Sequence, residues 1–126
     1  MPNPLYKKLG LKDGQKVILV NIPENYFDLL IEVPDVEEAE QEQLADFVHL
    51  FESRLSDLEK SFQTNVSRLK PDGMIWISWP KKTSNMPTDV DYHTAKFIAK
   101  QNGYVDVKVS AIDETWTACK FMLPKK

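Results

Sequence analysis

The sequence predicts a three-layer α/β domain in which a mostly parallel sheet ends in an antiparallel hairpin. Short apolar runs alternate with segments of helical periodicity along most of the 126 residues, an order typical of parallel strands connected by helices. The run "GMIWISW" lacks polar alternation, as do strands that are buried on both faces of a parallel sheet. The C-terminal part instead contains two alternating runs joined by a short turn, which favours a hairpin.

The first strand is predicted over Val17 to Ile22, between the Asp13-Gly14 turn and Pro23. The segment "ENYFDLLIEV" follows, and the helical spacing of its apolar residues predicts a short helix. Residues 32–46 then carry seven acidic residues and no basic residue. We call this stretch the acidic segment. The sequence leaves the structure of its residues 32–44 open.

The second strand is predicted over residues 45–51, "ADFVHLF", and the clearest helix follows over residues 53–70. The apolar positions of this helix recur every three or four residues: Leu55, Leu58, Phe62, Val66 and Leu69. Ser53 is the predicted N-cap, and Pro71 with Gly73 is expected to end the helix.

A third strand is predicted over Met74 to Trp79, followed by a helix that ends before Gly103. Thr88 with Asp91 three residues later has the spacing of a capping box, so we expect the helix to begin at Thr88. Gly103 is typical of the position after a helix C-terminus.

The closing hairpin is predicted from "VDVKVSAI" and "WTACKFML", which "DET" joins. The complete order is β-α-(acidic segment)-β-α-β-α-β-β, and we expect one domain over residues 1–126. This alternation of strands and helices implies a mostly parallel sheet with helices on both faces.

Several segments of the second half resemble the class I S-adenosylmethionine-dependent methyltransferases, which have a Rossmann-like fold. These are "ADFVHLF", the "LKPDG" turn ahead of "MIWISWP", and "NGYVDVKV" before the hairpin. The resemblance covers roughly residues 44 to 123 and implies a methyltransferase-like sheet. In addition, "LYKKLGLKDGQKV", "PDGMIWISWPKK" and "VDVKVSAIDETW" look like a family of small bacterial proteins of unknown function, a resemblance that implies no activity.

The first half departs from the methyltransferase pattern. In that family a glycine-rich loop follows the first strand and lets the backbone approach the cofactor, whereas "VNIPENY" stands here. The region before "ADFVHLF" is also too short for the two further strands and helices that include an acidic residue for the cofactor ribose. We therefore expect a trimmed, non-catalytic methyltransferase-like domain with no cofactor. The alternative is a divergent S-adenosylmethionine-dependent methyltransferase.

Composition and charge argue against several classes of protein. A net charge of −3 gives no reason to expect nucleic acid binding, and no apolar run approaches the ~20 residues of a membrane span. "MPNPLYKKLG" lacks the apolar core of a secretory signal. The single cysteine, Cys119, suits a reducing compartment, so we expect a cytoplasmic protein.

The two histidines, His49 and His93, have no partners at metal-ligand spacing, so we expect no metal site. The same isolation argues against a catalytic Ser-His or Cys-His pair. His49 lies in a predicted strand, where a hydrogen-bonded core imidazole is the simplest interpretation.

The carboxyl ends of the parallel strands are the predicted ligand site, because ligands of open parallel sheets bind at this edge. The candidate residues follow these strands or lie at the hairpin tip: Asn21, Glu52, Trp79, Lys81, Lys82, Ser84, Asp113 and Glu114. The two lysines and the N–H donors of the following loop could hold a small anion, with Trp79 as a flat apolar wall. Alternatively, Lys81 and Lys82 are solvated loop residues. Asp113 and Glu114 either belong to the site or form ion pairs with these lysines.

The acidic segment is the predicted surface for a protein partner. Its simplest interpretation is a solvated face or loop. It could instead dock on a basic partner protein, or form a homodimer by contacting Lys7, Lys8, Lys12 and Lys16 of a second copy.

Overall fold

The computed structural model describes residues 4–124, which contain one six-stranded sheet. The elements are, in order, α1 (Leu5–Leu9), β1 (Lys16–Val20), α2 (Tyr26–Leu29), β2 (Glu37–Glu38), β3 (Ala45–Phe51), α3 (Leu55–Val66), β4 (Leu69–Pro80), a 3₁₀ turn (Lys82–Ser84), α4 (Tyr92–Gln101), β5 (Val105–Ala111) and β6 (Trp116–Met122). The strand order is β2-β1-β3-β4-β6-β5. The first four strands in this order are parallel, and β6 lies antiparallel between β4 and β5. The predicted mostly parallel sheet with a closing hairpin is confirmed.

The sheet separates two hydrophobic layers. α3 and α4 cover one face and pack on Val48 and Leu50 of β3. α1 and α2 cover the other face and pack on Phe47 and Phe51. Because successive residues of a strand point to opposite faces, β3 is buried on both sides. Among the helices in residues 4–124, none combines the length and the hydropathy needed to cross a membrane.

A chain of polar side chains crosses the core on the α2 side of the sheet. The Tyr26 hydroxyl lies 2.9 Å from Nδ1 of His49, and Nε2 of His49 lies 2.6 Å from Oγ of Ser78. All three side chains are fully buried. Burial lowers the pKa of His49 from 6.5 to about 3, so the ring is neutral and hydrogen-bonds on both sides. His49 is therefore a core imidazole, and in the described part of the chain no group of three His, Cys, Asp or Glu side chains is placed to hold a metal ion.

The first strand is shorter than the sequence predicted. β1 ends at Val20 instead of Ile22, because Asn21 takes a left-handed backbone conformation with φ 56°. That conformation turns the chain away from the ladder at the carboxyl edge of the sheet.

β4, in contrast, is longer than predicted and begins inside the predicted helix. Leu69 is buried in the strand opposite Ala45, so it does not belong to the apolar face of α3. Pro71 and Gly73 lie within β4, where the register against β3 shifts, and do not end a helix. The additional residues of β4 form an irregular bulge, which the sequence pattern had suggested to be a turn.

Two aspartates cap the helices α3 and α4, and the predicted caps are wrong. The first N–H of α3 donates to Oδ1 of Asp89 (2.6 Å), so this cap comes from a distant loop and not from Ser53. α4 begins after Asp91, whose Oδ1 accepts a hydrogen bond from the Thr94 N–H (2.8 Å). The capping box is thus Asp91 with Thr94, three residues later than the predicted box that began at Thr88.

The acidic segment contains β2, a strand of two residues. β2 pairs with β1 in parallel, with Glu38 opposite Val17, and Lys16 forms an ion pair with Glu37. Val17 lies three positions before Val20, so β2 stops about 10 Å short of the end of β1. The acidic side chains of β2 therefore do not reach the carboxyl edge of the sheet.

Candidate functional site

The strand order changes direction at β1, because β2 lies on one side of β1 and β3 on the other. In open α/β sheets such a change leaves a crevice at the carboxyl ends of the two strands, and ligands bind there. Here the crevice lies between the ends of β1 and β3. Two predicted site residues, Asn21 and Glu52, are the first residues after these strands.

The structure brings Asn21 and Glu52 into contact. Nδ2 of Asn21 lies 3.1 Å from Oε1 and 3.3 Å from Oε2 of Glu52. The φ of Asn21, 56°, lies in the left-handed region that favours glycine and that asparagine also adopts. Asn21 thus gives the end of β1 a glycine-like backbone conformation and adds an amide side chain at the crevice.

Glu52 is a carboxylate that is only 6% exposed. It accepts hydrogen bonds from Asn21 and from Oγ of Ser61 in α3, which are both neutral donors. None of the ion pairs within residues 4–124 includes Glu52. Because a buried carboxylate is costly unless it is paired, Glu52 has the capacity to receive a cationic group. Ser61 was not predicted as a site residue, since no sequence motif marks a serine in the middle of a helix.

A pocket of about 390 Å³ lies further along the carboxyl edge, beside the end of β4. It is lined by Trp79, Pro80, Lys81, Lys82, Thr88, Asp89, Val90, Asp91 and Thr117. We call it the Trp79 pocket. Both of its aspartates accept hydrogen bonds as helix caps, whereas neither of its lysines has an ion pair in the described chain. The lining therefore contains two positive and two negative side chains, and the ammonium groups of the two lysines are the groups that could contact an anion. Trp79 is only 7% exposed, so it offers a smaller apolar wall than the sequence suggested.

A neighbouring pocket of about 350 Å³ shares Thr88 and Asp89 with the Trp79 pocket. Arg54, at the start of α3, lines this second pocket and adds a further cationic group to the edge. Arg54 was not predicted as a site residue, because its closeness to residues 87–89 arises only when the loop before α4 folds back onto α3.

Ser84 and Asp113 stabilise the turns in which they lie. Oγ of Ser84 donates a hydrogen bond to the carbonyl oxygen of Lys81 (2.6 Å). Oδ1 of Asp113 accepts hydrogen bonds from the N–H groups of Thr115 and Trp116, both at 2.8 Å. Their polar atoms are therefore engaged within the protein.

The hairpin tip contacts the loop after β4 through the backbone. The Lys81 N–H donates to the carbonyl oxygen of Thr115 (2.7 Å), and Glu114 is exposed at the tip. The sequence left open whether Asp113 or Glu114 forms an ion pair with Lys81 or Lys82. No such ion pair occurs between the described residues. The two lysines remain available to a ligand.

A larger cavity, of about 520 Å³, lies at the opposite edge of the sheet, between α1 and the loop that precedes β2. Its lining residues come from segments that enter β1 and β2, so it faces the amino ends of the strands. The change of strand direction and the buried Glu52 are both at the other edge. We therefore place the candidate site at the carboxyl edge.

Comparison with known proteins shows a likeness in fold alone. No protein-family model and no curated protein matches the chain, so the resemblance to a small bacterial family stays a prediction. Among solved structures, a SAM-dependent methyltransferase from Aquifex aeolicus matches with a TM-score of 0.61 at 15% identity, over 95% of this chain and 88% of that chain. The complex of DhpI with SAH matches with a TM-score of 0.62 at 10% identity, over 97% and 83%. Magnesium protoporphyrin IX methyltransferase from Synechocystis, with bound SAH, gives 0.61 at 8% identity, over 89% and 75%.

The fold is that of the class I S-adenosylmethionine-dependent methyltransferases. The resemblance that the sequence suggested for roughly residues 44 to 123 extends to the first half of the chain, since the matches cover nearly all of it.

The same comparison corrects the expectation that the protein uses no cofactor, which is wrong. Several solved structures with this fold are described as SAM-dependent or contain SAH, and this finding overturns the expectation. The expectation depended on the missing glycine-rich loop and on the shortness of the region before "ADFVHLF". The first ground does not hold for the backbone at Asn21, which takes the left-handed conformation without being a glycine.

Proposed function

We propose that the protein binds S-adenosylmethionine or S-adenosylhomocysteine at the carboxyl ends of β1 and β3. The observation that carries this proposal is Glu52, a carboxylate that lies nearly buried at the change of strand direction and accepts only neutral donors. The methyltransferase fold supports the choice of ligand, because proteins that share it are described as SAM-dependent or contain SAH.

The residues at the crevice fit the amino-acid end of this ligand. S-adenosylmethionine carries an ammonium group, a carboxylate and a positively charged sulfonium. Glu52 is negatively charged and can accept hydrogen bonds from the ammonium group. The side-chain amide of Asn21 has two N–H donors, one of which can serve Glu52 while the other serves the ligand carboxylate. When bound, S-adenosylmethionine supplies an activated methyl group, and the part played by Glu52 and Asn21 is to hold and orient the ligand.

We further propose that the Trp79 pocket takes a small anionic ligand and that the protein binds without methyl transfer. Lys81 and Lys82 supply the positive charge for the anion. The pocket lining contains no histidine, and its acids Asp89 and Asp91 are engaged as helix caps, so no free base is placed to accept a proton from an acceptor group. A divergent methyltransferase is the alternative.

The proposal is tested by titrating the protein with S-adenosylmethionine and S-adenosylhomocysteine in a calorimeter. We expect the wild type to bind both and Glu52→Gln to bind at least tenfold more weakly, because the amide keeps the hydrogen-bonding shape but loses the charge. Glu59→Gln is the matched control, since Glu59 is an exposed glutamate of α3. No measurable heat with the wild type, or equal affinity in Glu52→Gln, would overturn the proposal.

A second measurement separates binding from catalysis. The protein is incubated with S-adenosylmethionine and a panel of small carboxylates and phosphates, and formation of S-adenosylhomocysteine is followed by mass spectrometry. We expect no formation above the rate without protein. Formation that depends on both the protein and one anion would establish the methyltransferase alternative, and the Lys81→Ala/Lys82→Ala variant would then show whether the Trp79 pocket holds the acceptor.

A further inference from the structure

Three lysines lie near one another on the α1 side of the sheet, at β5 and β6 and away from the crevice between β1 and β3. They are Lys12, Lys108 and Lys120, and we call them the lysine cluster. Lys108 of β5 and Lys120 of β6 are directly opposite each other in the antiparallel ladder, so their side chains share one face. Burial lowers the pKa of Lys120, and the nearby charges of Lys108 and Lys12 lower it further.

The end of α1 positions the cluster. Nζ of Lys108 donates to the carbonyl oxygen of Lys8 at 3.2 Å. Nζ of Lys120 lies 5.8 Å from the ring centroid of Trp76, and the indole N–H of Trp76 donates to the carbonyl oxygen of Leu9 at 2.8 Å. Lys108 and Lys120 thus lie next to the same end of α1. The fully buried ring of Trp76 lies beneath the ammonium group of Lys120.

No ion pair within residues 4–124 offsets the electrostatic cost of this arrangement. Like charges directly opposite each other in an antiparallel pair destabilise the sheet. The ion pairs within residues 4–124 use Lys16, Lys70 and Lys96, and none uses a lysine of the cluster. The protein as a whole carries a net charge of −3. A cluster of three positive charges without an ion-pair partner is therefore opposite in sign to the net charge of the molecule.

We propose that the lysine cluster is a binding site for an oxyanion with several negative charges, of the phosphate class. Such an anion would accept hydrogen bonds from the ammonium groups of Lys108 and Lys120 and relieve their repulsion. Lys12, in the turn ahead of β1, adds a further positive charge near Lys120. The site is separate from the proposed cofactor crevice, because β6 and β5 follow β4 in the strand order whereas the crevice lies between β1 and β3.

The test uses tripolyphosphate as the probe, titrated into the protein at low salt in a calorimeter. We expect binding by the wild type and at least a tenfold loss of affinity in Lys108→Gln/Lys120→Gln. Lys60→Gln/Lys100→Gln is the matched control, because it removes two exposed lysines from α3 and α4 and leaves the cluster intact. The control should keep its affinity within twofold of the wild type.

Thermal melting without any anion checks that the cluster variant is folded. Its melting temperature should equal or exceed that of the wild type, since the variant removes repulsion, and its affinity for S-adenosylmethionine should be that of the wild type. Equal loss of tripolyphosphate affinity in both lysine variants would overturn the proposal, because it would show attraction to net charge alone. A two-chain mass in light scattering that dissociates with salt and in the cluster variant would also overturn it, since the anion would then be the acidic segment of a second copy.

Discussion

The two halves of the chain, residues 4–44 and 45–124, contribute differently to the molecule. The second half contains the long strands β3, β4, β5 and β6 and the two long helices, and it supplies most of the buried core. In the first half, α1 and α2 have five and four residues and β2 has two. The difference shows that the second half supplies most of the sheet and core, whereas the first half adds β1, covers one face of the sheet and places single groups on it. Two of these are Asn21 at the crevice and Tyr26 in the polar chain of the core.

The largest expected effect tests this division with one phenylalanine from each half. Phe62 in α3 is fully buried and contacts the ring of Tyr104, with ring centroids 6.0 Å apart. Phe27 in α2 is 45% exposed. We expect Phe62→Ala to lower the free energy of unfolding by roughly 3–5 kcal/mol, as for other buried phenylalanines. Phe27→Ala should lower it by less than about 1 kcal/mol. Urea denaturation followed by circular dichroism measures both values, and similar losses would show that the first half is part of the main core.

The next effect concerns the polar chain that joins the halves through Tyr26, His49 and Ser78. The pKa of His49 is about 3 in the folded protein and 6.5 in an exposed histidine. Between these values the unfolded chain binds a proton that the folded chain does not, so stability is full above pH 6.5 and falls as the pH is lowered. At pH 5 we expect a loss of about 2 kcal/mol relative to neutral pH.

Urea denaturation at pH 7, 6 and 5 measures this loss. His93→Gln is the control, because His93 is exposed on α4, and it should show the same loss as the wild type. Proton NMR of the His49 ring gives an independent check that needs no variant of the core. A ring that titrates between pH 5 and 7 in the folded protein would contradict the buried, neutral His49.

The sequence predicted the second half more accurately than the first, for physical reasons. Long apolar runs and helical periodicity persist over many residues there, so the order of strands and helices and the closing hairpin could be read from the pattern. The N-cap of α3 could not be predicted from the pattern, since Asp89 reaches α3 from a loop that is distant in sequence. Nor could the length of β1, because the left-handed conformation of Asn21 depends on contacts such as its hydrogen bond to Glu52.

The contact between the ends of β1 and β3 could be predicted from the sequence, whereas other groups at the same edge could not. Strand ends of a parallel sheet converge by topology, and this convergence brings Asn21 and Glu52 together. Ser61 and Arg54 join the edge only through the packing of α3, which leaves no local mark in the sequence. The error about the cofactor came from treating glycine as the only residue that can turn the backbone after β1.

A smaller effect tests whether the first half carries strain. Ile31, just after α2, has φ 72° and is 73% exposed. A β-branched residue is strained in the left-handed region of backbone conformation. Because the Ile31 side chain is mostly exposed, its burial contributes little free energy to offset this strain. We expect Ile31→Gly to raise the free energy of unfolding by about 1 kcal/mol. Urea denaturation checks this, with Val33→Gly as the control at an exposed position that does not have a positive φ. A loss of stability in Ile31→Gly would mean that this side chain makes contacts that outweigh the strain.

The smallest expected effect compares one glutamate from each half by its contribution to ligand affinity. Glu52 belongs to the second half and lies at the crevice, whereas Glu38 of the first half lies on β2, about 10 Å before the end of β1. If the ligand is held chiefly by its amino-acid end, Glu38→Gln should change the dissociation constant for S-adenosylhomocysteine by less than twofold, against at least tenfold for Glu52→Gln. Calorimetry on both variants under one set of conditions measures the contrast. A tenfold weakening in Glu38→Gln would mean that β2 extends toward the carboxyl edge when the ligand binds, and the first half would then take a direct part in recognition.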